Sequence, residues 1–294
     1  MTKYYAIHPS SFKLDGGAMF GIIPKPLWSK KIAGDELNRI KMTMRVLVIE
    51  TDNKLILIDT GIGDYHPEKF KTQFEVTGGD SPLVAALEDA GRKAQDVTDI
   101  IITHLHFDHV GGLGSFEGDK AKLLFENATV HVHRKHYEYS SQPTARDAGS
   151  FQSHIFKPWL EMYQDKGQLN LLAQEEGTLL KDQDYELKYL TTKGHTPYQI
   201  HPFDKNFFYF GDIIPTSHHV GIPWVMGYDM NPGTTTIEKL QLLEKLHKEN
   251  ITAVFNHDLD SWGASVEKDK KGRFIFDNLK ASSKQNFQKL DFTA

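Results

Sequence analysis

The sequence predicts an α/β fold: short apolar runs rich in β-branched residues alternate with helix-spaced segments, and the runs end on polar residues. Residues 43–50 and 54–59 read as two strands, and Asp52-Asn53 between them turns the pair into a hairpin. A glycine-rich break, Thr60-Gly61-Ile62-Gly63, follows. Ser81 reads as the N-cap of a helix that begins on Pro82 and stops at Gly91. Val97 to Thr103 is expected as a buried strand, and residues 130–132 as another. From 134 to about 168 the chain turns polar and aromatic, with helical spacing at Phe151, Ile155, Phe156, Trp159, Leu160 and Tyr163. This is expected as a helical insertion on the rim of the core, reaching about residue 176. Strand signals return at 185–191, 198–202 and 206–211. A helix from Thr234 to about His247 has apolar positions Ile237, Leu240, Leu243 and Leu246, and a last core strand is expected at 251–255. No low-complexity linker interrupts the chain, so residues 1–294 are expected to form one domain with an N-terminal arm over about 1–40.

Composition narrows the function classes. Hydrophobic and charged fractions of 39% and 25% are those of an ordinary globular chain, and a net charge of −5 gives no overall pull towards nucleic acid or anionic membrane. Without cysteine, disulfides and thiolate mechanisms are impossible. The opening residues lack the apolar core of a secretory signal, and no apolar run approaches the roughly 18–20 residues of a membrane span. A cytoplasmic protein acting on a small molecule is the expectation.

The 15 histidines matter through their clustering. His104-Leu105-His106-Phe107-Asp108-His109 leaves an apolar strand and runs into Gly111-Gly112, which permit an unusual backbone. Imidazoles at 104 and 106 can point the same way, while Asp108 and His109 reach a second point; imidazole and carboxylate suit zinc, and also iron or manganese. Three further polar residues end or follow apolar runs: His195 on the turn Gly194-His195-Thr196-Pro197, Asp212 after Phe207 to Phe210, and His257 after Phe255.

His-x-His-x-Asp-His, preceded by Asp59-Thr60-Gly61 and followed by Gly194-His195-Thr196-Pro197, resembles the metallo-β-lactamase superfamily from about residue 43 to 258. The resemblance implies a four-layer αβ/βα sandwich with a dinuclear site at one edge of its two sheets. It implies that His104, His106 and His195 bind one metal, that Asp108, His109 and His257 bind the other, and that Asp212 bridges both. Asp59 would orient ligand imidazoles, or simply form a turn with Gly61. The implied chemistry is hydrolysis by a hydroxide bridging two divalent ions, zinc first among the candidates, with Asp108 carrying protons.

The absence of cysteine argues against the antibiotic-hydrolysing subclasses with a cysteine ligand. The segments Ala18 to Trp28 and Pro223 to Asp229 are similar to quorum-quenching lactonase-like members. Met19, Phe20, Trp28, Trp224 and Met226 could wall an acyl pocket or pack in the core. Homoserine lactonases carry a tyrosine three residues after the bridging aspartate, where this chain has Pro215; the usual glycine after Gly-His-Thr-Pro is Tyr198. A lactonase acting on acyl-homoserine-lactone-like substrates is therefore expected, with a methyl-parathion-like phosphotriester hydrolase and a non-hydrolytic di-iron or scaffold member as alternatives. His131, His133, His136 and His154 match no motif position and are expected on strands or the surface; His218 and His219 are candidate substrate contacts. Exposed aromatics in the arm or insertion would suit a homodimer.

Overall fold

The computed structural model describes residues 2–283 and 285–292. Its frame is two seven-stranded sheets. The first runs, edge to edge, through strands Phe287–Leu290, Lys3–Asp15, Arg39–Glu50, Leu55–Ile58, Asp99–Ile101, Thr129–His133 and Leu169–Leu172. The second runs through Phe274–Ala281, Ser261–Lys268, Thr252–Val254, Phe207–Tyr209, Gln199–Phe203, Tyr185–Thr192 and Glu176–Asp182.

The layering follows from which faces are apolar. Strand Leu55–Ile58 is buried along its whole length, as a strand covered on both faces must be. Ile56 and Ile58 join Leu47, Ile49, Leu187, Tyr189, Phe207, Tyr209 and Val254 in the core between the sheets. Leu55 and Leu57 face the other way, into a core with Leu83 and Leu87 of helix Pro82–Asp89 and Phe156, Trp159 and Leu160 of helix Ser153–Asp165. On the outer face of the second sheet, Phe208, Phe210 and Phe255 pack on Leu242, Leu243 and Leu246 of helix Pro232–Glu249. Helix, sheet, sheet, helix is the four-layer order expected.

Several expectations change in detail. The segment expected as an N-terminal arm supplies Lys3–Asp15, a full strand paired on both sides. The stretch 134–176 holds helices Arg134–Ser141 and Ser153–Asp165, but it also returns as strand Leu169–Leu172, parallel to Thr129–His133. It thus carries the edge strand of the first sheet as well as helices, and its aromatics Phe151, Phe156, Trp159 and Tyr163 are buried. In helix Pro232–Glu249 the buried stripe is Thr235, Lys239, Leu242, Leu243 and Leu246, whereas Ile237 and Leu240 are exposed, because the sheet meets a face rotated from the one the leucine spacing suggested. Ser81 does not cap its helix through its side chain; it sits at φ 42° with its amide donating to Asp64.

What positions the site is the direction of the central strands. Leu55–Ile58 and Asp99–Ile101 run parallel in one sheet, and Phe207–Tyr209 and Thr252–Val254 run parallel in the other. Their carboxyl ends are where a crevice forms in parallel sheets. The sheets are stitched there by backbone bonds: Ile200 N–H to Thr103 O at 2.8 Å and Arg45 N–H to Asn256 O at 3.0 Å. Gly111 and Gly112 serve this packing by size, since a Cβ on Gly112 would lie 2.1 Å from Thr60 O and one on Gly111 2.2 Å from Ile62 O. Gly111 has φ −63°, so close approach rather than unusual backbone is the reason for glycine there. Gly112→Ala should therefore cost about 1–3 kcal/mol of stability, read as a lower denaturant midpoint at unchanged slope.

Candidate metal centre

Seven side chains converge in two groups sharing Asp212, six from beyond the ends of those strands and His195 from beyond Tyr185–Thr192: His104, His106, His195 and Asp212, and Asp108, His109, Asp212 and His257, all buried. Within each group, one candidate ligand atom from every residue lies within 4.8 Å of all the others. The Asp212 carboxylate divides itself between them. Its Oδ2 lies 3.5 Å from His195 Nε2 and 3.8 Å from His104 Nε2, while its Oδ1 lies 3.0 Å from His257 Nε2 and 3.3 Å from His109 Nε2. Asp108 Oδ2 sits 3.6 Å from His257 Nε2 and 3.7 Å from His109 Nε2. His106 Nδ1 is 3.3 Å from His195 Nε2. The structure thus brings together every residue that the sequence singled out as a ligand.

The far nitrogens of four of the imidazoles are fixed by neighbours, of which the sequence pointed to Asp59 alone. His195 Nδ1 meets Asp229 Oδ1 at 2.9 Å, and His257 Nδ1 meets the carbonyl of Thr43 at 3.0 Å. His104 Nδ1 meets Thr103 Oγ1 at 3.0 Å, and that hydroxyl donates in turn to Asp59. Asp59 also accepts from the Thr103 amide and meets His109 Nδ1 at 2.9 Å. Of the two readings of Asp59, orienting imidazoles is the one with bonds behind it. A partner such as the Thr43 carbonyl leaves no mark in the sequence; Asp229 could have been noticed as the acidic residue closing the Trp-Val-Met-Gly-Tyr segment.

The residues fit divalent cations. His104 Nε2 and His106 Nε2 are buried without a hydrogen-bond partner, which is costly for polar atoms unless something else satisfies them. Nitrogen and oxygen donors in two sets of four are a zinc-like ligand chemistry, also open to iron and manganese. The electrostatics point the same way. Burial alone would push the Asp212 carboxyl up, yet the neighbouring His109 and His257 hold it well below the usual carboxylate range. Burial likewise works to lower His109, and the carboxylates of Asp212, Asp108 and Asp59 outweigh it and raise it well above the ordinary value. Asp108 is pushed up, chiefly by burial. His104 and His106 are held well below the usual imidazole value by burial and by the other histidines. The centre demands positive charge between its carboxylates.

Other residues named from the sequence fall outside this cluster. His219 stacks on Phe20 at 4.6 Å and is tied at both nitrogens, to Thr216 Oγ1 and to the Met19 carbonyl, so it is a buried packing residue rather than a substrate contact. Met19, Phe20, Trp28 and Met226 lie in one core cluster, with Trp224 partly buried against it. Tyr198 holds φ 59°, a backbone conformation that glycine adopts freely, and its ring lies flat on His133 at 4.7 Å while its hydroxyl accepts from Lys135. His131 is buried against Asp99, and His154 is exposed. Pro215 contributes its carbonyl, which accepts from the His257 amide at 3.0 Å. Asp229→Ala should weaken zinc binding about 10–100-fold with the chain still folded, measured by competition with a chromophoric chelator.

The chain matches the family profile described as metallo-beta-lactamase superfamily over residues 45–257. It is 33% identical over 101 residues to a probable metallo-hydrolase of Mycobacterium tuberculosis, covering 32% of this chain and 33% of that protein. It is 30% identical over 111 residues to an N-acyl homoserine lactonase of Bacillus cereus, covering 34% of this chain and 40% of the lactonase. The matches thus span well under half the length of these relatives. Among solved structures, a probable metal-dependent hydrolase from Staphylococcus aureus superposes with a TM-score of 0.80 at 26% identity, over 94% of this chain and 97% of that one. A dizinc quorum-quenching lactonase holding a hexanoyl-homoserine product superposes with a TM-score of 0.73 at 21% identity, over 97% and 96%. With its layered sheets, and with the matched profile covering strands and ligand positions alike, the chain belongs to the metallo-β-lactamase superfamily.

Proposed function

We propose that this protein is a metal-dependent hydrolase with two divalent cations, zinc foremost, acting on a lactone or ester. The observation that carries the reading is the Asp212 carboxylate, which offers one oxygen to each of two buried histidine groups. His104, His106 and His195 would hold one cation, and Asp108, His109 and His257 the other, with Asp212 common to both. Cations bound there supply Lewis acidity for a carbonyl or phosphoryl oxygen and acidify water.

The chain's own residues do the rest. Asp108 reaches towards His109 and His257 at the crevice end, and it is the carboxylate available to take a proton from the attacking water and return it to the leaving group. Asp59, Asp229 and the Thr43 carbonyl keep the imidazoles aimed inward throughout. The superfamily match and the lactonase among the relatives support a lactone substrate.

One observation favours a second substrate class. Pro215 stands where the lactonases it resembles carry a tyrosine, and Tyr198 is committed to His133 and Lys135. Without a phenol at that position to assist a lactone carbonyl, a phosphotriester is the substrate class favoured instead. A non-hydrolytic di-iron role is separated from both by metal analysis of untagged protein.

The zinc-loaded protein, assayed against an acyl-homoserine lactone, an aryl ester and a phosphotriester, should turn over at least one, lose that activity to a chelator and regain it with zinc. Inertness towards all three sinks the lactone, ester and phosphotriester readings. Asp108→Asn should lower kcat by about 10²–10⁴-fold while the thermal transition stays near that of the parent; parental rates in the metal-loaded variant would remove Asp108 from proton transfer.

A further inference from the structure

His136 lies on helix Arg134–Ser141, fully buried, in a segment that supplies none of the seven candidate ligands. Both of its ring nitrogens are spoken for. Nε2 accepts the amide N–H of Leu105 at 2.8 Å, and Nδ1 meets the carbonyl of Pro197 at 2.7 Å. A carbonyl can only accept and an amide N–H can only donate, so this pair of partners admits one arrangement: hydrogen on Nδ1, a lone pair on Nε2.

The two partners are the loops that carry the three-histidine group. Leu105 separates His104 from His106, and its own side chain is buried in the core beneath the first sheet. Pro197 lies two residues beyond His195, on a loop whose other end is held by the amides of Lys193 and Gly194 on Glu238. One loop leaves the first sheet and the other belongs to the second. Phe151 closes over His136 with ring centroids 5.7 Å apart, and it also packs on His106 at 4.6 Å. The Asp108, His109 and His257 group is braced without His136, through Asp59, Thr60 and Thr43, and Asp59 alone of these also reaches the first group, by way of Thr103 and His104.

We infer that His136 is a positioning residue for the first cation: it sets the separation of His104 and His106 from His195 by bridging their loops, and it does so only in its Nδ1–H form. The inference rests on the two-cation reading above and adds a residue that acts on one half of the centre.

The test strips the protein with a chelator and titrates it with zinc, following each imidazole in long-range ¹H–¹⁵N spectra. In the parent, the His136 ring should show a protonated Nδ1 and a bare Nε2 both before and after zinc; the opposite tautomer overturns the assignment. His136→Phe keeps a ring but neither bond, and should weaken binding at His104, His106 and His195 about 10–100-fold while the other group changes little. His136→Gln, whose amide carries an acceptor and a donor on one carbon, should restore most of that loss. If His136→Phe does not fold, His136→Asn takes its place, being too short to meet both loops, and should bind more weakly than His136→Gln. Equal affinities in the parent and these variants, or equal losses in both groups, overturn the positioning role alone. A parent that takes up no zinc overturns the two-cation reading and this role with it.

Discussion

The centre of this molecule is arranged around one buried carboxylate. Asp212 is removed from water and kept ionised, a state that is costly unless opposite charge or donors stand at both oxygens. Meeting that demand on both sides requires imidazoles from two directions at once, since His104 and His109 come from the first sheet and His195 and His257 from the second. The sandwich supplies those directions because its central strands are parallel and end at a common edge. The backbone bonds across the seam, from Ile200 to Thr103 and from Arg45 to Asn256, fix the distance over which the carboxylate must reach.

Around that carboxylate, aim is controlled from outside. An imidazole with one free nitrogen can rotate, and one whose far nitrogen meets a buried acceptor cannot do so without losing that bond. Asp229 and Asp59 are buried acceptors of this kind, and both sit on segments whose backbone is itself tied down. Gly111 and Gly112 let the His109 loop press against Thr60 and Ile62, which brings the His109 carbonyl within 2.8 Å of the Thr60 amide. Rigidity at the centre is therefore a product of crowding beyond it.

Much of this was legible in the sequence. The apolar runs that became Leu55–Ile58, Asp99–Ile101 and Thr252–Val254 are short and continuous, and the polar residues beyond them are candidate ligands or, in Asp59, the carboxylate that orients them. The flanking strands were harder to see. Lys3–Asp15 mixes apolar and polar residues without a clean alternation, and Phe274–Ala281, at a sheet edge, is mostly exposed. His136 was missed for a physical reason: its role is defined by a backbone amide and a backbone carbonyl distant in sequence, and no side-chain pattern announces such partners. The apolar residues Met19, Phe20, Trp28 and Met226 were compatible with a pocket wall or a core until packing decided for the core.

The division of the cluster between the sheets has a thermodynamic side. Four of the candidate ligands, His104, His106, Asp108 and His109, hang from one sheet, and His195, Asp212 and His257 hang from the other. An ion held across that seam would act as a rivet, adding its own binding energy to the apolar core and backbone bonds that already hold the sheets together. Binding to the assembled form alone stabilises it by RT ln(1 + [ion]/Kd), about 2.7 kcal/mol at a hundredfold excess over Kd. The durability of the fold would then follow the free metal in its surroundings, and starving the protein of metal would be a way of loosening its architecture as well as silencing its chemistry.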